Sequence, residues 1–575
     1  MNNTLVRIAL LAGLAIPTNL LAQDISASAS AEINAIRAEK AKRTPAQRKL
    51  SSRLLNLARE VADSNAAATR SRVPREPDGR VIVDIAATPS AALAHAIFKA
   101  GGTVVYESLE GDSVQAILPP AAFEAIAARA DVRMITPKAA SRAHKVTNEA
   151  DPAHKADVAR AKYQVDGTGI KVGVISDSAT YYKKSIASGE LPAAFGILPG
   201  RAGTGSGEGT AMSEIIHDIA PGAEICFADA GYNKSYFADS IKLLKAAGCR
   251  IIVDDISFST EWQFQDDVIG RAVNRVVADG AVYLSASGNE GSLRKGNSTT
   301  WEGDFIDGGE SSLALPLGRV HSYGTRTFNR LTEYDSDANL QWSDEYHTSS
   351  NDYDLYILNS AGTRVVDSST DTQDGSQQPF EEVYNVRAGE RIVILKADSA
   401  EPRYLRLSCV GGPLQFATAG QSVGHSATLN CICVAATDAT KAAPNPFTAS
   451  SRLEGYSSDG PHKMFYKPNG TPYTPGNYLA SGGLTVQSPS LTAGDGGKTS
   501  VPGFKHFSGT SASAPAAAAI AALVWSKNPA LTNTQIRTIL ESSCIDIAAP
   551  GYENDSGYGI LMATRALQNT PAAKP

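Results

Sequence analysis

The chain has 575 residues, of which 42% are hydrophobic, and its 53 basic and 59 acidic side chains give a net charge of −6. This length and apolar content exceed what one small core needs, so we expect several domains. The charges are spread without long runs of one sign, which argues against a nucleic acid or an anionic membrane as a partner.

The N-terminal segment has the pattern of an export signal. Arg7 precedes an apolar run from Ile8 to Ile16, and small residues follow as far as Ala22. Because this run is too short to span a bilayer, it predicts a cleaved signal peptide over residues 1–22. We therefore expect a secreted or periplasmic protein that leaves the membrane after cleavage.

The six cysteines form an even set, which in an exported chain allows up to three disulfide bonds. Their spacing contains no CxxC pair and does not suggest zinc. They are Cys226, Cys249, Cys409, Cys431, Cys433 and Cys544.

Two segments precede the main pattern of the chain. Residues 23–79 are rich in Ala, Arg, Lys and Glu without a convincing apolar face, which predicts a leader or loosely attached helices. Residues 80–140 carry strand and helix signals in the order βαββαβ, which predicts a small ferredoxin-like unit.

From Gly169 the chain alternates apolar, β-rich runs with helical segments. These runs cover residues 169–176, 223–229, 250–257 and 281–287. Runs of this composition are typical of strands buried on both faces of a parallel sheet. We predict an α/β domain over residues 150–303 and 419–570, with ligands at the C-terminal ends of its strands.

Residues 304–418 interrupt this rhythm with short alternating strands and Gly, Asn and Asp turns, which predicts an inserted β-sandwich. Within it, Asp352 and Asp354 could supply oxygen ligands to Ca²⁺. Two acidic residues in a turn are more often only solvated, so the sequence requires no metal or other cofactor.

The segment HFSGTSASAPAAAAIAALVW, residues 506–525, is the strongest local signal. Ser511 precedes an apolar helix with Pro515 in its first turn, which predicts a helix through the core. The amides of the helix start would point at whatever Ser511 attacks. Serine is also a common capping residue, so the motif alone leaves both roles open.

Three more polar residues lie where elements begin or end. Asp177 follows the first strand of the sheet, Asn289 follows another strand between glycines, and Glu208 opens a helical segment. Asp and Asn are also common in turns, and a helix start favours glutamate through the helix dipole. Together with Ser511, however, these residues stand in an order that indicates a catalytic site.

The chain resembles the subtilisin-like serine protease family, on the motif SGTSASAP and on VDGTGIKVGVISDS. The resemblance covers about residues 150–303 and 420–570. It implies Ser511 as the nucleophile, Asp177 as the triad acid and Asn289 as an oxyanion-hole donor beside the N–H of Ser511. It thus predicts a serine-type endopeptidase that hydrolyses peptide bonds through an acyl-enzyme.

The resemblance also implies a zymogen, because residues 80–140 are similar to the family's inhibitory propeptide. The expected partners are this propeptide and protein or peptide substrates, and we expect a monomer. The segment DDISFSTEW stands where the family binds substrate, so Ser257, Phe258 and Ser259 would pair with an extended peptide. An ordinary core strand end explains this segment equally well.

The chain departs from the family where the His-Gly-Thr helix reads Glu-Gly-Thr, beginning at Glu208. His217 is about 13 Å further along this helix and cannot replace the missing histidine. His506, near the serine, is more simply a loop residue. The sedolisin branch of the fold has a Ser-Glu-Asp triad, which makes Glu208 the candidate base. In sedolisins the Asp of this triad comes four residues after the Glu, and this chain has Met212 at that position.

Glutamate is a weaker base than histidine by about two pKa units. If Glu208 and Asp177 approach within hydrogen-bonding distance, they share one proton and one apparent pKa rises. The pair would take the proton of Ser511 and return it to the leaving amine, with activity at about pH 4 to 6. The alternative is an inactive pseudoprotease that binds proteins or glycans outside the cytoplasm.

Overall fold

A computed structural model describes residues 42–50, 52–62, 75–108, 113–137, 148–231, 233–310 and 318–573. The predicted signal peptide, residues 1–22, and the first part of the predicted leader lie outside these residues. The chain divides into two compact units, residues 1–140 and 141–575. Among the described residues, no helix is long and apolar enough to cross a membrane.

The first unit is built around a four-stranded antiparallel sheet in the order β2-β3-β1-β4. Its elements are α1 (Pro45–Arg48), α2 (Ser52–Ala62), β1 (Val81–Ala87), α3 (Ala91–Lys99), β2 (Thr103–Ser108), β3 (Ser113–Leu118), α4 (Phe123–Ala127) and β4 (Val132–Pro137). From β1 onwards they follow the expected order βαββαβ. The preceding helix α2 also belongs to this core, because Leu54 and Leu57 are fully buried in it.

The second unit contains a nine-stranded sheet in the order β23-β24-β22-β19-β9-β8-β5-β7-β6, parallel except at β23. Its strands are β5 (Lys171–Ser176), β6 (Gly196–Ile197), β7 (Glu224–Asp229), β8 (Ile251–Asp254), β9 (Val282–Ala286), β19 (Ile432–Asp438), β22 (Leu491–Asp495), β23 (Cys544–Ile545) and β24 (Ile560–Leu561). The predicted α/β sheet is therefore present. Because β5, β8 and β9 are neighbours, the residues after them meet at one edge.

Nine helices of the described residues belong to this unit. They are α5 (Ala150–Ala153), α6 (Ala156–Tyr163), α7 (Tyr182–Ser188), α8 (Glu208–Ile219), α9 (Lys234–Ala246), α10 (Val268–Ala278), α11 (Thr510–Lys527), α12 (Asn533–Ser542) and α13 (Ala563–Asn569). Helix α11 is buried from Thr510 to Trp525, as its all-round apolar sequence predicts. It thereby fixes Ser511 to the centre of the domain.

Residues 300–410, called here the insert, form two antiparallel sheets in the orders β10-β18-β13-β16 and β11-β12-β17-β14-β15. The strands are β10 (Thr300–Asp304), β11 (Asp307–Glu310), β12 (Gly318–His321), β13 (Ser336–Trp342), β14 (Tyr353–Leu358), β15 (Val365–Ser369), β16 (Phe380–Val386), β17 (Arg391–Ala397) and β18 (Tyr404–Val410). Leu340 and Leu407 of the first sheet share one hydrophobic cluster with Leu355 and Ile394 of the second. A two-stranded sheet of β20 (His462–Met464) and β21 (Leu484–Val486) follows the insert.

The six cysteines, all within the described residues, are buried free thiols. The predicted disulfide bonds are therefore absent from this structure. Cys226 and Cys249 interact with each other in the core behind β5, and burial raises the pKa of the Cys409 and Cys544 thiols. Free cysteine is among the most often buried side chains and packs as a small apolar group, which fits these positions.

Candidate active site

Ser511 is the second residue of α11 and lines a surface cavity. Gly509 precedes the helix with φ of 120°, a conformation that favours glycine. The first N–H groups of a helix have no acceptor within the helix, and here that of Thr510 donates to Asn289. The sequence therefore places a serine where helix N-terminal dipoles can stabilise negative charge.

Glu208 is the first residue of α8 and directs its carboxyl group towards the hydroxyl of Ser511. The next residue, Gly209, lies against the ring of Phe227, so that a side chain at this position would collide with it. This close packing holds the start of α8 against the sheet. Glu208 is thereby placed beside Ser511.

Asp177 follows β5 and binds the chain that leads into α8. Its Oδ2 accepts hydrogen bonds from the N–H and the hydroxyl of Ser206, each at 2.5 Å, and its Oδ1 accepts one from the N–H of Glu208 at 3.0 Å. These bonds position the N-terminus of α8. The carboxylate of Asp177 is thus engaged with the backbone of Glu208 and not with its carboxyl group.

Asp255 supplies the carboxyl group that pairs with Glu208. It follows β8, the strand next to β5, and its Oδ1 is buried. The predicted Glu208/Asp177 pair is therefore corrected to a Glu208/Asp255 pair, with Asp177 beside it. The sequence did carry a signal, because the acid pair of DDIS stands at the end of a buried parallel strand, where ligands bind.

Burial raises the pKa of both members of this pair. For Asp255 the pKa lies well above its usual value, since burial and the nearby charge of Glu208 both disfavour the ionised form. For Glu208 burial is again the largest cause, and the charge of Asp177 adds to it. The hydrogen bond between the pair lowers the pKa of Glu208 and raises that of Asp255, which favours the proton on Asp255.

Asn289 connects the loop after β9 to the start of α11. Its Oδ1 accepts hydrogen bonds from the N–H of Thr510 at 3.0 Å and from its hydroxyl at 3.1 Å. Since the amide oxygen is occupied, the Nδ2 group is the part of the side chain that can donate to a ligand. This arrangement fits an oxyanion-hole donor.

The predicted substrate segment and the predicted metal ligands lie in different places. Ser257 and Ser259 are exposed beside the cavity of Ser511, and Phe258 packs on Phe237. Asp352 and Asp354, in the insert, accept hydrogen bonds from Gln373 and Tyr356 instead. The described residues contain no cluster of three or more His, Cys, Asp or Glu side chains suited to a metal ion.

His425, which no sequence motif singles out, lies behind the site. The Nδ1 of His425 is 2.9 Å from Glu261 and its Nε2 is 3.0 Å from Asp254, and all three side chains are buried. Burial opposes a charge on the ring, but the two carboxylates together raise the pKa of His425 well above its usual value. Glu261 also accepts the N–H of Phe258, so its contact with His425 helps to hold the predicted substrate segment in place.

We predict that His425→Gln, made in a Ser511→Ala background to prevent self-digestion, lowers the free energy of unfolding by about 3–5 kcal/mol at pH 6. Because the folded pKa is raised, this contribution is complete below pH ~6.5 and is lost as pH rises through the folded pKa. Urea denaturation at pH 6 and pH 10 measures the difference in the free energy of unfolding between this variant and the Ser511→Ala parent. This difference should be smaller at pH 10. The exposed His506→Gln is the control, and an equal loss at both pH values would contradict the charged state.

A sequence model of the subtilase family matches residues 320–559, a range that includes Ser511 but not Asp177, Glu208 or Asp255. A calcium-dependent protease of Nostoc sp. is 36% identical over 123 residues, which are 19% of this chain and 18% of that protein. Fervidolysin of Fervidobacterium pennivorans is 34% identical over 65 residues, 11% of this chain and 9% of that protein. The chain thus matches less than a fifth of the length of these relatives.

Among solved structures, the Clostridium perfringens CspB protease matches with a TM-score of 0.49 and 14% identity, over 73% of this chain and 98% of that one. Over the matched parts the chain is similar to the subtilase family and to proteins named as proteases. This agrees with the expectation drawn from the motif around Ser511.

Proposed function

We propose that the protein is an exported endopeptidase that cleaves peptide bonds through an acyl-enzyme on Ser511. The observation that carries this proposal is the row of three side chains, Ser511, Glu208 and Asp255, in which each interacts with the next. A serine needs a neighbouring base to become a nucleophile, and Glu208 is in that position.

In the proposed reaction one proton passes from Ser511 to Glu208 and then to the leaving amine. Glu208 takes the proton of Ser511 as its oxygen attacks the carbonyl carbon, and the Nδ2 of Asn289 and the N–H of Ser511 bind the oxyanion. Glu208 then returns the proton to the leaving amine, and the C–N bond breaks. Water repeats the sequence to release the acyl group. Asp255 keeps its own proton and stabilises the Glu208 carboxylate by donating to it.

This chemistry resembles the Ser-Glu-Asp triad of sedolisins, with the Asp on a strand end in place of the helix. Asp177 acts as a positioning residue that caps α8. Residues 80–140 act as an inhibitory propeptide in this proposal, and Ser257–Ser259 pair with the substrate backbone. A requirement for Ca²⁺, by analogy with the calcium-dependent relative, stays a prediction at Asp352 and Asp354.

Labelling with a fluorophosphonate from pH 4 to pH 9 tests the proposal. We expect labelling of Ser511, lost in Ser511→Ala, with its maximum in the acidic range. Labelling requires an ionised Glu208, so the labelling rate should fall at low pH, where Glu208 is protonated. The rate should also fall at higher pH, where Asp255 loses its proton. In Asp255→Asn, which cannot ionise, the fall at higher pH should disappear while the acidic limb stays.

Two results would count against the proposal. A maximum at pH 8 or above in the unmutated protein would exclude the carboxyl pair as the proton acceptor. No labelling of Ser511 at any pH would favour the pseudoprotease alternative, in which the cleft or the insert only binds proteins or glycans.

A further inference from the structure

Gly509, the residue before α11, lies beside both groups that the proposed reaction assigns to the oxyanion. A Cβ atom on Gly509 would lie 3.4 Å from the Nδ2 of Asn289 and 3.8 Å from the backbone nitrogen of Ser511. A displacement of Gly509 would move the start of α11, and with it the N–H of Ser511, relative to Asn289. The contacts that hold Gly509 therefore affect the distance between the two donors.

The N–H of Gly509 has two acceptors, which also contact each other. It donates to the Oδ2 of Asp495 at 2.8 Å and to the phenol oxygen of Tyr456 at 3.1 Å. The hydroxyl of Tyr456 donates to the same Oδ2. Asp495 is 2% exposed, so water does not replace a bond that is lost there. These three hydrogen bonds fix the backbone of Gly509 against the end of β22.

Tyr456 also binds the loop that carries Asn289. Its carbonyl accepts the N–H of Gly291 at 2.8 Å. Ser458, two residues further along the chain, accepts the N–H of Glu290 on its Oγ at 3.0 Å. Both N–H groups belong to the two residues directly after Asn289. Tyr456 thus contacts both sides of the proposed oxyanion hole, because its carbonyl holds the loop and its hydroxyl holds the residue before α11.

The contact between Asp495 and Gly509 does not depend on the charge of the carboxyl group. Both hydrogen bonds of Asp495 end on Oδ2, whereas Oδ1 is buried without a hydrogen-bond partner among the described residues. Burial is the largest cause that raises the pKa of Asp495 to about 6, and the charges of Glu454 and Asp438 add to it. A proton on Oδ1 leaves Oδ2 able to accept both bonds.

We propose that Tyr456 and Asp495 are positioning residues of the oxyanion hole, which set the distance between its two donors through Gly509. This inference rests on the proposed function and deepens it, since it adds two residues that act on the donors and not on the substrate. Oxyanion donors stabilise the transition state only at the right distance, and a misplacement of about 1 Å is enough to slow a reaction.

Tyr456→Phe tests the inference, because it removes the hydroxyl and keeps the backbone contacts of the residue. We expect kcat to fall about 10-fold with KM little changed, since the lost bond acts only on the transition state. Tyr384→Phe is the matched control. It removes the same kind of bond, from a tyrosine hydroxyl to the Glu382 carboxylate, at an exposed position of the insert. It should retain full activity.

A double-mutant cycle with Asn289→Ala separates positioning from a general loss of structure. Once the Asn289 side chain is absent, its distance from the N–H of Ser511 no longer matters. In that background Tyr456→Phe should lower kcat about 2-fold or less. Steady-state kinetics with one peptide at pH 5 measure all four proteins of the cycle.

Two substitutions of Asp495 give a second measurement. Asp495→Asn keeps an oxygen that can accept from Gly509, and it should retain more activity than Asp495→Leu, which has no acceptor. The Tyr456→Phe cycle decides the question even if Asp495→Leu does not fold.

An equal loss of kcat in Tyr456→Phe with and without Asn289 would overturn the inference and leave the proposed function in place. A Tyr456→Phe protein as active as Tyr384→Phe, or one with a raised KM and an unchanged kcat, would have the same consequence. No hydrolysis by the unmutated protein, together with no fluorophosphonate labelling of Ser511, would overturn the proposed function and the inference with it.

Discussion

The Glu208→Gln variant is expected to hydrolyse peptides with a kcat about 10²–10⁴ times lower than the unmutated protein. The amide is nearly the same size as the carboxylate and keeps an oxygen towards Ser511, but it cannot accept a proton. The loss should therefore appear in kcat, with KM little changed, because the substrate contacts remain. Steady-state kinetics at the pH optimum measure both constants.

Glu224→Gln is the matched control, because Glu224 is exposed on β7 and pairs only with Lys171. It should retain full activity. A Glu208→Gln protein that is as active as this control would remove glutamate from the mechanism. Glu208→His is a second test. If residue 208 acts as the base, a histidine at this position should move the pH optimum of activity towards neutral.

The Asn289→Ala variant is expected to lower kcat about 10²–10³-fold, because it removes the side-chain donor from the oxyanion that forms in the transition state. KM should change little, since the carbonyl oxygen gains negative charge only during the reaction. Measurement of kcat and KM with one peptide separates these effects.

Thr510→Val is the comparison for this prediction. It removes the hydroxyl that donates to Asn289 but keeps the Thr510 N–H, which donates to the same Oδ1. Its loss of activity should be much smaller than that of Asn289→Ala. A rise in KM with an unchanged kcat in Asn289→Ala would instead assign Asn289 to ground-state binding.

The pairing of the carboxyl groups has a consequence for stability. Asp255 is buried with a raised pKa, so the folded protein is destabilised as pH rises from the pKa of the unfolded chain through the folded value. His425 has the same sign, because its charge is favoured by Asp254 and Glu261. Both groups therefore contribute more to the stability of the α/β domain in acid than in alkali.

Much of the architecture follows from local sequence rules. The apolar runs predict the parallel strands, and the uniformly apolar helix after Ser511 predicts its burial in the core. Capping-box spacing at Thr532 and Gln535 predicts the start of α12, where both hydrogen bonds form. These features depend on residues that are close in sequence, and so the sequence alone is sufficient to find them.

The tertiary structure decides which carboxyl group pairs with Glu208. The sequence by itself determines that Asp177 and Asn289 follow strands and that Glu208 and Ser511 begin helices, whereas it places Asp255 inside the predicted strand 250–257. Only the sheet order brings the ends of β5, β8 and β9 together, and only the competition for hydrogen bonds assigns each carboxyl group. Asp177 is used by N–H groups at the start of α8, which leaves Asp255 to share a proton with Glu208.

In the insert, too, the sequence predicts part of the arrangement and the tertiary structure decides the rest. Its alternating residues determine which side of β13 packs against the second sheet, because successive side chains point to opposite faces. The sequence alone would assign the polar side to solvent. In the folded chain this side is buried against residues 261–263, which lie far from β13 in sequence. A polar face can be solvated or can match another backbone equally well, and only the three-dimensional contact decides between the two.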